Sequence, residues 1–410
     1  MRRSGRSNEP YVKPVTHIEL SEKHLGLRFA AFLIFLVIGV GALAYGTLLL
    51  VRGADGWRTV EAGKIRDHIY DEEIVFEYNV TSSVEFRQLK SLYTSLLERV
   101  APLFDAETGY EGVNNIYYIN RHINEQIVVD ELLYSAFEKI NENGCRVVFT
   151  APFYEEYRGA FFSPDDSTAA LFDPDKNEDI KEMADRIAAF ACDKNSVEIR
   201  LLGKNTVMLY VSEEYKKYVE EISGSSYIDL WLVKNAFIID YCADVITGSG
   251  YKGGRIYSYD GYLRNFDPGT EYTYKIYDLL DNSEVISAEM VYDGVISAVT
   301  MRTFPVFRLD SSRMYMYSDG TRITDYLDAH TCNDKTFQPC YTVYSYGRKC
   351  SDIAFAALET YISDTGKLGL IERTDGMEYI FSKDLHVSYS EKDVRIDSYV
   401  NKPLYRSIFR

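Results

Sequence analysis

The chain has 410 residues, with 45 Lys and Arg against 62 Asp and Glu, a formal net charge of −17. Its apolar content of 46% and charged content of 26% are those of a globular protein and exclude wholesale disorder. The acidic balance lacks the basic footprint of a nucleic-acid-binding protein, and six cysteines without a CxxC pair, together with the absence of HExxH, exclude the usual zinc frameworks.

In chain order, the first feature is an uncharged apolar run from Phe29 to Val51. At about 1.5 Å per residue a helix of this length crosses the hydrocarbon core of a bilayer. Arg2, Arg3, Arg6, Lys13, Lys23 and Arg28 precede it, which places the N-terminus in the cytoplasm and the rest outside. Ala42-Leu43-Ala44 offers a signal-peptide cleavage site, but the long basic region and the apolar run continuing past that site favour an anchor. The expected organisation is a cytoplasmic tail (1–28), a transmembrane helix (29–51), a linker (52–68), one extracytoplasmic domain (69–390) and a polar tail (391–410).

Within the domain, Ser82 and Glu85 fit a capping box ahead of a helix carrying Leu89, Tyr93, Leu96, Leu97 and Val100 on one face. Asp130 caps a second helix, and a third runs near 177–191. The stretch 197–212 switches to alternation and reads as a hairpin turning at Gly203-Lys204-Asn205. A helix over 232–247 follows. Strands are expected at 255–259, 271–278, 295–300, 314–317 and 340–346, then a helix from Ser351, then strand-like LGLIE and EYIFS. Helices and strands without strict alternation predict an α+β or mixed α/β fold. Cys332 and Cys340 flank a short connection that a disulfide could close.

Three blocks together resemble the ApbE-like family, the FAD:protein FMN transferases. YIDLWLVKNAFIIDYCADVITGSGYKGGRIYSYDGYL resembles the family's D-L-G-G-I-A-K-G-Y-x-x-D, a helix, a Gly and a strand ending G-G-N. ISAVTMRTFPVFRLDSSRMYMYSDGTRITDYLDAHTC resembles A-V-A-T-S-G … D-G … H-I-I-D-P-x-T-G. CYTVYSYGRKCSDIAFAALETYI resembles S-V-T-V … A-D-A-L-A-T-A-L. A less specific upstream stretch, NNIYYIN, resembles S-x-I-x-x-I-N. The resemblance spans roughly 75–385 and implies an ApbE-like fold. It also implies a chemistry in which Mg²⁺ assists cleavage of the FAD pyrophosphate and FMN passes to a Thr or Ser of a partner.

Carried over singly, Asp352 takes the position of the family's metal ligand, while Asp229, Lys234, Asp260, Thr300 and Asp328 fall at cofactor-binding positions. No catalytic residue is assigned. The departures are concentrated at the same place. Ala356 stands where the family has a second ligand, a Thr one turn on. The central glycines are Trp231 and Leu232, the T-S-G glycine is Arg302, the family's His is Asp325, and Asn235 sits at the Lys position beside Lys234. Simpler readings exist for each carboxylate. Asp352 fits the first turn of a helix, Asp229 fits a turn, and Asp240 fits a solvated helix face beside Lys234 or Lys252. The combined expectation is a membrane-anchored ApbE-like protein that has lost flavin transfer and binds an envelope partner. An active FMN transferase using FAD and Mg²⁺, or a flavin binder without transfer, are the alternatives.

Overall fold

The computed structural model describes residues 25–52, 56–63, 73–364, 366–391 and 395–403. It divides into two units, Met1–Ala54 and Asp55–Arg410. The first contains the helix Leu25–Arg52, whose large apolar side chains from Phe29 to Val40 are exposed. Among the described residues no helix is long and apolar enough to cross a membrane. The described run of side chains, 29–42, covers about 21 Å, short of a full span. The remainder of the expected span, 43–51, falls outside the described side chains, and the tail 1–24 outside the described residues.

The second unit is built on an eight-stranded antiparallel sheet. Its spatial order is Gly56–Thr59, Ile74–Val80, Gly254–Ser258, Tyr262–Asn265, Ile296–Arg302, Cys340–Ser345, Glu378–Lys383 and His386–Tyr389. The two central strands, Ile296–Arg302 and Cys340–Ser345, are buried at every position. They therefore read as continuous rather than alternating apolar runs. One sheet face, with Val299, Met301, Tyr341 and Val343, packs into the main core with Ile353, Ala354 and Ala357 of the helix Cys350–Tyr361. The opposite face, with Ile296, Ala298, Tyr344 and Ile380, packs on Ile276, Ala288 and Met290. Those residues belong to the long hairpin Glu271–Leu280 and Ser283–Asp293, to which Arg395–Pro403 adds a third strand.

The remaining helices follow their sequence signals. Ser82 Oγ accepts from Glu85 N at 3.2 Å and starts the helix Ser83–Val100. Glu85 bonds back to Thr81 N and Thr81 Oγ1, one residue before the position a capping box requires. Asp130 caps Glu131–Glu142 through Leu132 N at 2.9 Å, and the third helix is Glu178–Cys192. The hairpin Val197–Gly203 and Thr206–Val211 turns at Lys204 and Asn205, both with positive φ.

Several expectations are corrected. LGLIE is a short helix, Leu368–Glu372. The polar tail contains the strand Arg395–Pro403, and the linker contains Gly56–Thr59, which pairs with the sheet edge. All six cysteines are free thiols. Asp240 is not on a solvated face: its side chain is 7% exposed, pairs with Arg264 at 2.9 Å, and accepts from the backbone N–H groups of Cys350 and Ser351.

The Asp260-Gly261-Tyr262 turn is fixed by close backbone approach. Gly261 has φ +108°, and its N–H donates to Ser258 O while Thr300 N donates to its carbonyl at 2.8 Å. A Cβ there would stand 1.8 Å from Thr300 O. Gly261→Ala is therefore expected to lose about 2–4 kcal/mol of stability, since strained φ and backbone displacement add. Urea unfolding of the full-length protein measures it; an unchanged midpoint would mean that the turn does not hold this approach.

Candidate functional site

The sequence-matched residues fall into two cavities. The first, about 360 Å³, contains Asp229, Lys234 and Asp260, together with Trp231, Asn235 and Asp325. The second, about 770 Å³, contains Asp328, Asp352 and Ala356. The segment from Asp325 to Asp328 contributes to both. Thr300 lines neither. It lies on the hairpin-facing side of the sheet, 3% exposed, where its hydroxyl bonds to Tyr274 and, at 2.8 Å, to Thr342.

The first cavity forms where the chain turns into the helix Lys234–Gly248. A buried side chain from a remote helix holds the approach to that turn. Asn120, on Ile116–Arg121, accepts from Tyr227 N at 2.9 Å and Ile228 N at 3.0 Å, and donates to Ile228 O at 2.9 Å. Asn120 is the last letter of NNIYYIN. Its signal was therefore in the sequence, but nothing local marked it as a clamp. Trp231 stacks flat on Tyr154, with ring centroids 4.1 Å apart and 7° between planes, and donates Nε1–H to Asp325 O at 3.2 Å. The indole thus occupies the wall where the resemblance places bare glycine backbone. Arg302, at the lost T-S-G glycine, is buried in an ion pair with Asp310 at 2.6 Å and reaches Tyr259 O. Asp310 also accepts from Val306 N and Phe307 N, so this pair fixes the loop after the strand.

The cavity's cations are all engaged. Lys234 pairs with Glu73 at 3.4 Å, Arg313 with Asp325 at 2.7 Å, and Arg158 with Glu107. Its unmet capacity is on acceptors: Asn235 Oδ1, Asp260 Oδ1 and Asp325 Oδ1 are buried without hydrogen-bond partners. Burial pushes Asp229 up to about 6, against the pull of Lys234 and Arg158. Burial likewise raises Asp260 and Asp325, with Arg313 opposing in both cases.

In the second cavity each carboxylate is held by a lysine. Asp352 accepts from Lys349 N at 3.0 Å as the first-turn carboxylate of Cys350–Tyr361, and binds the Lys139 ammonium, which also donates to Ser351 Oγ at 2.8 Å. Partial burial raises the Asp352 carboxyl, but the Lys139 bond and the helix-start N–H outweigh it, and the net shift is downward. Asp328 accepts from His330 N at 3.0 Å and from Lys335 Nζ at 3.2 Å. The His330 ring lies beside the Cys192 thiol at 3.3 Å.

The donor set does not fit Mg²⁺, which wants near-octahedral oxygen coordination. Ala356 supplies no side-chain oxygen, an ammonium already covers Asp352, and no group of three His, Cys, Asp or Glu among the described residues is placed to hold a metal ion. The first cavity does not fit a pyrophosphate either, because its unpaired atoms are acceptors and repel phosphate oxygens.

Asp229 yields a pH test. Its folded pKa, about 6, lies above the unfolded value of about 3.9, so this carboxyl favours the fold most below pH ~4. That contribution is lost as pH rises to ~6 and is constant above. Asp229→Asn should abolish the decline and stabilise the protein at pH 7 by up to about 2 kcal/mol. Denaturation midpoints of both proteins across pH 4–8 check this; a variant less stable at pH 7 would contradict it.

No protein-family profile matches the chain, and no curated protein does. Solved structures do. The ApbE protein of Thermotoga maritima shares 16% identity over 75% of this chain and 90% of its own, with a TM-score of 0.50. The flavin transferase ApbE of Vibrio cholerae shares 14% over 77% and 92%, with a TM-score of 0.53. The flavinyl transferase ApbE of Pseudomonas stutzeri, in its apo form, shares 10% over 77% and 90%, with a TM-score of 0.50. Likeness at these identities establishes the fold: the domain has an ApbE-like fold.

Proposed function

We propose that this ApbE-like domain does not transfer flavin and instead serves as a binding module at the cell envelope. The observation that carries the proposal is the Lys139 ammonium on Asp352, with Ala356 one helical turn on. A monovalent ammonium neutralises the carboxylate but offers no open coordination position. It cannot draw charge from two phosphate oxygens as a divalent ion does. The fold alone does not carry the activity of the solved flavin transferases, because function resides in the site.

Full-length protein incubated with FAD and Mg²⁺ should release no AMP, remain colourless, and leave a Thr-containing acceptor unmodified. Asp352→Ala should leave these readouts at background. Saturable Mg²⁺-dependent AMP release that disappears in Asp352→Ala would establish the active transferase instead. Yellow protein without AMP release would establish a flavin binder.

We also place the domain outside the membrane, on the support of the uncharged run 29–51 and its basic N-terminal flank. With the native cysteines replaced, Ser398→Cys should label with an impermeant maleimide on intact cells and Ser4→Cys should not. The reverse pattern would invert the topology.

A further inference from the structure

We propose that the first cavity binds an aliphatic ammonium or guanidinium group, recognised through N–H donors. The proposal rests on the reading above, that the FAD site is lost, and names the ligand chemistry that replaces it.

The argument begins with charge. Seven acidic side chains line the cavity against three basic ones. Each basic side chain is already paired with Glu73, Glu107 or Asp325. Among the described residues, neither Asp229 nor Asp260 has an ion-pair partner at contact distance, although both line a partly enclosed space. A buried carboxylate left in that state is costly, so an outside cation gains from meeting it.

The second observation concerns hydrogen bonds and is independent of charge. Asn235 is 2% exposed and Asp325 1% exposed, and both residues line the cavity together with Asp260, each of the three with an Oδ1 that is buried without a hydrogen-bond partner. Asn235 Nδ2 donates to Asp260 Oδ2 at 3.0 Å, which fixes the amide so that its oxygen is the free atom. No lining residue has a buried side-chain donor without a partner. The unmet side-chain capacity around the cavity is therefore for donors, in a place where an acceptor left without one is costly.

The third is the wall. The stacked Tyr154–Trp231 pair and Phe104 line the space, and Phe162 stands at its rim, 70% exposed. Aromatic faces suit alkyl chains and cations alike. A bare divalent ion does not suit the site, because the carboxylates are not clustered for one. A primary amine on an alkyl chain satisfies charge, donors and wall together. It comes either as a free polyamine or as the lysine side chain of a partner protein.

Calorimetric titration of the full-length protein with spermidine, Nα-acetyl-lysinamide, choline and FAD tests the proposal. Saturable binding of spermidine, or of the lysine amide, with choline at least about tenfold weaker is expected, because choline carries the charge without N–H donors. Preference between the first two separates a free amine from a protein-borne one. Asp260→Asn should weaken the amine about tenfold. Asp229→Asn should weaken it similarly while leaving the protein no less stable at pH 7, which separates loss of binding from loss of fold. Choline binding as tightly as the amines, undiminished binding in both variants, or no amine binding at millimolar concentration would overturn the inference alone. FAD binding that excludes the amines would overturn the loss of the flavin site with it.

Discussion

The carboxylate of Asp240 ties together the elements from which both cavities hang. It leaves the helix Lys234–Gly248 almost fully buried, meets Arg264 on the strand Tyr262–Asn265, and accepts the first free N–H groups of Cys350–Tyr361 at 3.0 and 2.7 Å. A helix N-terminus presents partial positive charge and unsatisfied donors, so an anion placed there offsets both. Without that anion, Arg264 would keep only its longer contact to Asp244 at 3.5 Å, beside two orphan N–H groups, a loss on the order of 3–5 kcal/mol. The geometry also decides position. The start of one helix carries Lys234 and Asn235, the start of the other carries Asp352, and one carboxylate sets the distance between them.

Around that fixed frame, side chains at the carried-over positions engage one another. The indole of Trp231 stacks on Tyr154, Arg302 pairs with Asp310, and lysines cover Asp328 and Asp352. Replacing glycine by side chain removes backbone approach, and replacing a ligand atom by methyl at Ala356 removes coordination. Helix packing rests on Ile353, Ala354, Ala357 and Leu358 in the core, with Ala356 packed against it at the cavity.

What could be read from the sequence followed the range of the interaction. Local signals were legible: Asp130 as a cap, the Lys204-Asn205 turn, the helix after Asp229 and the strand around Thr300. Five-residue LGLIE was not, since a run so short carries no period that separates strand from helix. The strands Gly56–Thr59 and Arg395–Pro403 were missed because edge strands are held by backbone pairing, which polar sequence does not advertise. Of the positions the resemblance carried over, Asp229, Lys234 and Asp260 line one cavity and Asp328 and Asp352 another, a division that motif spacing does not encode. Lys139, 213 residues from Asp352 along the chain, had no local mark at all. The unpartnered oxygens of Asn235 and Asp325 exist only once tertiary structure has excluded water from them.

The indole against Tyr154 has an optical consequence. The chain contains two tryptophans. Trp57 lies on an edge strand, 41% exposed, while Trp231 is 8% exposed in the cavity wall. Their emission therefore separates by environment: the solvent-facing indole relaxes in water and is reached by collisional quenchers, whereas the enclosed one emits at shorter wavelength and is shielded. One of the protein's two tryptophans thus stands in the cavity wall, a reporter built into the site without a label.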